Sequence, residues 1–238
     1  MIKEIRIFRT IGLKEERIRR MLEDLTKWGR SVEINLKNTG FGVDIILEVS
    51  SENASIVSSL TNGASCNIKK RLSDSIYGTS EDEKLEKVIG YLLYLKRLTL
   101  AIAESCTGGL ASALITNVPG SSSYFKGGVI AYSNDIKVDI LGVSSKTIER
   151  FGAVSKNTAS EMAIGVRRLI KADIGLSITG IAGPTGNTEK KPIGLVYIAL
   201  SREGEIITKD FIFPGEREKI REQAAYYAID LVRRTLIK

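Results

Sequence analysis

From residue 2 to residue 8 apolar and charged side chains alternate with the two-residue period of a strand. Leu13, Ile18, Met21, Leu22 and Leu25 then recur at helical spacing, which predicts an amphipathic helix over 13–28. Alternation returns over 32–36 and 43–49, separated by Asn38-Thr39-Gly40-Phe41-Gly42, a segment suited to a hairpin turn. A second helix is expected over 54–72, so this part of the chain reads βαββα, a small α+β domain. Residues 73–82 are polar, contain a glycine and end in a helix-start signal, and the domain boundary is placed there, dividing 1–78 from 79–238. Beyond it helices over 81–94, 108–116 and 156–170 alternate with strands over 98–103, 128–132 and 174–179. Strands over 194–200 and 205–213 follow as a hairpin through Arg202-Glu203-Gly204, and a last helix covers 216–236. Such alternation predicts an α/β fold, a layered α/β sandwich.

Composition narrows the chemistry. The 238 residues are 43% hydrophobic, contain only four prolines and carry no low-complexity tract, so both domains can bury a core. The amino-terminal pattern lacks the apolar stretch of a signal peptide, and the most apolar run, 88–95, stops at Lys96 and Arg97, far short of a membrane span. Two cysteines without paired spacing suit a reducing compartment, so a cytoplasmic protein with no membrane partner is expected. The formal charge of +7 favours an anionic partner. Basic residues are nevertheless interleaved with acidic ones, as in Lys14-Glu15-Glu16-Arg17, so solvated helix faces are favoured over a nucleic-acid footprint. The chain has no histidine. That excludes Ser-His-Asp and Cys-His catalysis and imidazole-based zinc sites, and leaves Lys, Tyr, Asp or Glu as the base of any hydrolysis.

Four motifs carry candidate chemistry. Ala103-Glu104-Ser105-Cys106-Thr107-Gly108-Gly109 joins an expected strand to an expected helix, where a chain can present a nucleophile or seat an anion. Pro119-Gly120-Ser121-Ser122, Tyr132-Ser133-Asn134 with Lys137, and Thr179-Gly180-Ile181-Ala182-Gly183-Pro184 follow in order. If the helix starts near Cys106, the amides of Thr107, Gly108 and Gly109 sit beside Ser105 and can offer an oxyanion hole. Equally, Ser105 can simply cap that helix. Cys106 is a rival nucleophile or packs beneath the turn. Ser123-Tyr124-Phe125-Lys126 matches an S-x-x-K pattern, but no Lys-Thr-Gly follows and the match is read as chance. The loop from Thr179 to Gly186 can cradle a phosphate or ribose, or is a surface loop with unusual backbone angles. Arg217 and Arg221, one turn apart, can meet a phosphate on one helix face or pair with Glu218 and Glu222.

These motifs together resemble the CinA family, whose C-terminal domain is similar to nicotinamide mononucleotide deamidases. The resemblance covers nearly the whole chain: 81–238 is similar to the deamidase domain, and Phe8-Arg9-Thr10-Ile11-Gly12-Leu13 through Leu72 to the small KH-like region that precedes it. It does not include the family's molybdopterin-binding-like domain, so ADP-ribose pyrophosphatase activity is not expected here. The resemblance implies Ser105 as nucleophile, Lys137 as base, and Tyr132 as a phenol relaying the proton or orienting the amine. A lysine base near neutrality needs burial, because bringing a pKa of about 10.4 down to about 7 costs roughly 4–5 kcal/mol; otherwise Lys137 is an exposed helix lysine and Tyr132 a core aromatic. The resemblance further implies Thr179 and the loop glycines Gly180 and Gly183 as substrate-pocket residues; Cys106, Thr107, Gly108, Gly109 and Asn134 are also expected at the substrate, and Arg217 and Arg221 remain candidate phosphate ligands by their spacing. The implied reaction converts nicotinamide mononucleotide to nicotinic acid mononucleotide and ammonia, without a cofactor, in a homo-oligomer. KH domains that hold RNA use a GxxG loop, and the hairpin has only Gly40-Phe41-Gly42, so residues 1–80 are expected to serve packing or dimerisation. The alternative reading is a nucleotide-binding, competence-associated interaction protein with little catalysis.

Overall fold

The computed structural model describes residues 1–25, 28 and 31–237. It divides into two compact units, Met1–Val88 and Ile89–Lys238, with helix α3 (Leu85–Lys96) crossing the division.

The first unit contains β1 (Ile2–Thr10), α1 (Glu15–Leu22), β2 (Val32–Asn38), β3 (Val43–Ser51), α2 (Ala54–Leu72) and β4 (Ile76–Gly78), in an antiparallel sheet of order β2-β3-β1-β4. The alternation seen in the sequence is what builds it. Val43, Ile45, Leu47 and Val49 of β3 are buried, whereas Asp44, Ile46 and Glu48 between them are only half-buried. Phe8 packs opposite Ile45 on the inner face, with Ile18 and Leu22 from α1 and Val57, Ala64 and Ile68 from α2 in the same core. The expected first helix is shorter than its apolar pattern, ending at Leu22 although Leu25 is still buried; residues 26, 27, 29 and 30 of that segment lie outside the described residues. Strand β4, part of the expected linker, was not foreseen, because three residues are too few to show a period.

The second unit holds β5 (Leu100–Glu104), α4 (Leu110–Thr116), β6 (Phe125–Ile130), α5 (Asn134–Asp139), α6 (Ser145–Phe151), α7 (Lys156–Ile170), β7 (Ile174–Gly180), β8 (Leu195–Arg202), β9 (Glu205–Ile212) and α8 (Arg217–Leu236). The sheet runs β6-β5-β7-β8-β9, with β5 parallel to both β6 and β7 and the last two strands antiparallel. All five residues of β5 are buried, as are the first six of β7, so these central strands are covered on both faces. Ser177 donates to the Ala159 carbonyl at 2.6 Å, placing one face of β7 against α7. Gly175 is required there, since a Cβ would lie 2.2 Å from the Ala163 carbonyl oxygen. Helix α8 packs on β7 and β8 and also against α4. The short helices α5 and α6 are additions to the elements expected from the sequence.

Candidate active site

Three parallel strands bring their carboxyl ends to one place, the edge where open α/β sheets bind ligands. Ser105 follows β5, Ala131 and Tyr132 follow β6, and Thr179 and Gly180 close β7. Together with Cys106, Asn134, Lys137, Ala153, Val154, Ile181, Ala182, Gly183, Thr185, Gly186 and Arg217 they line a cavity of about 320 Å³. Larger grooves of about 350 Å³ elsewhere in this unit contain neither a serine nor a lysine in their lining.

The centre of the cavity is a serine–lysine pair. Lys137 on α5 is 2% exposed, and its Nζ stands 3.1 Å from Ser105 Oγ. Nζ also reaches the carbonyls of Ala131 at 2.8 Å, Tyr132 at 3.2 Å and Ser133 at 3.4 Å. Burial lowers the Lys137 pKa from its ordinary 10.5, because the charged form is cut off from water. The surrounding carbonyl oxygens oppose that fall by accepting from the ammonium. A neutral amine fits the same geometry: its N–H groups face Ala131 and Tyr132 while its lone pair faces the Ser105 hydroxyl. Such an amine can take the serine proton, and the carbonyls then hold the resulting ammonium. Helix α5 makes this possible by turning the chain back after β6, capped by Ser133 Oγ accepting from the Ile136 amide at 3.4 Å.

Four sequence expectations change here. The helix after Ser105 begins at Leu110, not near Cys106, because Gly108 and Gly109 adopt positive φ of 59° and 99° and hold 105–109 in a turn. Two of the three amides expected to face an oxyanion are already committed: Gly108 donates to the Ser105 carbonyl at 3.1 Å, and Gly109 to Glu104 Oε2 at 2.9 Å. The amides of Cys106 and Thr107 remain, since neither donates to a carbonyl or carboxylate among the described residues. Third, the Tyr132 phenol is 62% exposed and accepts from Arg217 at 3.0 Å; it touches Lys137 only through its backbone carbonyl. Finally, neither arginine pairs with Glu218 or Glu222. Arg217 also donates to the Gly183 carbonyl at 2.6 Å, while Arg221 donates to the carbonyls of Cys106 at 3.1 Å and Thr107 at 2.9 Å.

Cys106 is 6% exposed, and burial pushes its thiol up to about 12, so it is a neutral thiol near pH 7 and a poor nucleophile. Asn134 lines the cavity, and Thr179 is buried with its hydroxyl donating to the Ala153 carbonyl at 2.9 Å. Thr107, Gly108, Gly109 and Arg221 are not on the lining.

Glu104, quoted in the sequence motif without a role, organises the turn. This buried carboxylate accepts from the amides of Gly109 at 2.9 Å, Ala111 at 3.2 Å and Ser112 at 2.8 Å, and from Ser112 Oγ at 2.7 Å. It occupies the amino-terminal end of α4, so that end is not free for a substrate phosphate. The available signal was an acid closing an apolar strand just ahead of a glycine-rich turn into a helix.

Fold and site define an α/β sandwich protein with a buried serine–lysine pair at the carboxyl edge of its sheet. The comparison with known families is consistent along the chain: the CinA C-terminal domain matches residues 82–236 and the KH domain of damage-inducible protein CinA matches 5–78. The chain belongs to the CinA family. A putative competence-damage inducible protein of Alkaliphilus metalliredigens is 42% identical over 98% of this chain and 56% of its own length. A CinA-like protein of Kosmotoga olearia is 51% identical over 71% of the chain and 41% of its own length. The chain thus spans about half the length of the curated relatives it matches. The crystal structure of competence/damage inducible protein CihA from Agrobacterium tumefaciens superposes with a TM-score of 0.63 at 35% identity, covering 65% of this chain and 94% of that one. No helix among the described residues is long and apolar enough to cross a membrane, and among them no group of acidic and cysteine residues is placed to hold a metal ion.

Proposed function

We propose that the second unit is an amidohydrolase that converts nicotinamide mononucleotide to nicotinic acid mononucleotide and ammonia. The observation that carries the reading is the 3.1 Å approach of the buried Lys137 amine to Ser105 Oγ in a cavity of about 320 Å³ at the carboxyl edge of the sheet. Ser105 Oγ attacks the carboxamide carbon as Lys137 takes its proton, and the tetrahedral oxyanion is met by the Cys106 amide on the cavity lining, with the Thr107 amide next in the turn as the second donor. The C–N bond breaks as Lys137 passes the proton to the leaving nitrogen, releasing ammonia and an acyl-Ser105 ester. Water, deprotonated by Lys137, cleaves the ester, and the proton returns to Ser105. Arg217, at the cavity rim beside Tyr132 and Gly183, is the phosphate ligand of this reading; Asn134, Thr179, Gly180 and Gly183 shape the pocket. The pyridinium charge activates the carboxamide, and the phosphate is held away from the reacting carbon. No cofactor is required, and the working form is a cytoplasmic homo-oligomer in which residues 1–78 serve packing.

The test is ammonia release from purified protein given nicotinamide mononucleotide, with Ser105→Ala alongside and free nicotinamide as control. Turnover by the wild type alone, and only on the nucleotide, is expected, with nucleotide affinity retained in Ser105→Ala. Equal, unhydrolysed binding of both mononucleotides would instead assign a nucleotide-binding interaction role.

A further inference from the structure

Arg221 is half-buried near the start of α8, and its guanidinium takes two successive backbone carbonyls, Nε to Cys106 O at 3.1 Å and Nη2 to Thr107 O at 2.9 Å. No carboxylate among the described residues neutralises it. Because a trans peptide points its C=O and N–H in opposite directions, holding the Cys106 carbonyl turns the Thr107 N–H away from the arginine. Holding the Thr107 carbonyl likewise turns the Gly108 N–H away, and that group donates to the Ser105 carbonyl at 3.1 Å. The Ser105 carbonyl is thereby fixed as well, and with it the direction of the Cys106 N–H. One two-pronged side chain sets three consecutive peptide planes and leaves the Cys106 and Thr107 N–H groups without a carbonyl partner beside the serine. Gly108 leaves room for this grip, since a Cβ there would stand 3.3 Å from Nη2.

We infer that Arg221 is a positioning residue for the oxyanion site, orienting and polarising the Cys106 and Thr107 amides, and is not a phosphate ligand. The charge acts in the same sense as the geometry: a cation at the Cys106 carbonyl makes the Thr107 N–H a stronger donor, and at the Thr107 carbonyl it strengthens the Gly108 N–H, whose bond to the Ser105 carbonyl in turn strengthens the Cys106 N–H. Its effect reaches the site, as Arg221 lowers the Cys106 thiol pKa, although burial outweighs it. Arg217, four residues earlier, has the opposite disposition, exposed and on the cavity lining. The inference rests on the serine-nucleophile reading above, so its test includes a substrate-independent probe.

The experiment compares wild type, Arg221→Ala, Arg221→Gln and Arg217→Ala by steady-state ammonia release. In parallel, the rate of Ser105 phosphonylation by a fluorophosphonate is followed by intact mass; there the Ser105 O–P bond forms, fluoride leaves and Lys137 takes the proton. Loss of oxyanion donors should cut kcat of Arg221→Ala by about 100-fold with KM within about twofold, and slow phosphonylation in parallel. Guanidinium ion added to Arg221→Ala should restore part of both rates, a response that a merely structural defect would not give. Arg221→Gln, which keeps one donor and tests the site if the alanine variant misfolds, should fall between. Arg217→Ala should instead act mainly through a raised KM, with kcat falling far less than in Arg221→Ala. A raised KM with wild-type phosphonylation in Arg221→Ala or Arg221→Gln would overturn the inference and make Arg221 a phosphate ligand. Wild-type phosphonylation without ammonia release would refute the proposed substrate while leaving the positioning role measurable by the probe. A wild type inert in both assays would remove the serine-nucleophile reading and this inference with it.

Discussion

Glu48 on β3 and Glu104 on β5 are both strand carboxylates, yet they live in different physical worlds. Glu48, on the outer face of the first unit's sheet, pairs with Lys3 at 2.6 Å, with side chains 25% and 51% exposed. Glu104 is 1% exposed and holds three backbone amides and one hydroxyl. The difference follows from how each sheet is covered. β3, central in the first unit's sheet, alternates buried and half-buried residues, so one of its faces keeps partial contact with water; β5 and β7 are buried residue after residue. Where a strand is covered on both faces, an interior polar group needs a backbone partner, as Ser177 finds in the Ala159 carbonyl, and charged groups collect at the strand's end, where they organise a site. The open face spreads its charges out, while the closed sheet gathers a carboxylate, a serine and a lysine at the carboxyl ends of three neighbouring strands.

The sharpest way to break this contrast is at the lysine. Lys137→Met should cut ammonia release by about 1,000-fold or more, since it removes the group proposed to take the serine proton. In the wild type, turnover should rise with pH as Lys137 deprotonates, with a midpoint below 10.5. Its folded-state pKa is depressed, so in the window up to 10.5 the unfolded chain binds more protons, and folding stability gained from deprotonation should rise with pH there. Denaturant titrations across that window should show the wild type gaining stability relative to Lys137→Met as pH rises, while the raised Cys106 thiol acts in the opposite sense in both. A rate profile with no rising limb would place the base elsewhere.

At the carboxylate itself, Glu104→Ala leaves the amides of Gly109, Ala111 and Ser112 buried without acceptors and should cost roughly 2–4 kcal/mol in urea unfolding. Glu104→Gln, retaining one acceptor oxygen, should lose less. Wild-type stability in Glu104→Ala would mean that the turn is held by its glycines alone. The smallest effect is expected across the contrast: Glu48→Gln removes a partly exposed pair and should change stability by less than about 1 kcal/mol. A larger loss would show that the outer face of the first sheet is covered in the working protein.

Much of this molecule is local and therefore readable along the chain. Helices α2 and α7 carry their periodicity from end to end and fall on the expected residues, 54–72 and 156–170. Strands β3, β5 and β7 are legible because burial on one face produces alternation and burial on both produces a continuous apolar run. Segments shorter than a period escape: β4 has three residues and α5 six, and each is held by long-range or capping bonds rather than by its own pattern.

Ser105 stood out in the sequence because a strand-to-helix turn rich in glycine is itself a local feature, and the absence of histidine left few choices for its base. That Lys137 reaches it, that Glu104 closes the helix end, and that Arg221 grips the turn from more than 100 residues away were decided only by the tertiary structure. Periodicity records which side of an element is buried, but not which elements become neighbours. The pairing of β5 with both β6 and β7, fixed by hydrogen bonds between distant strands, is what turns separate polar motifs into one site.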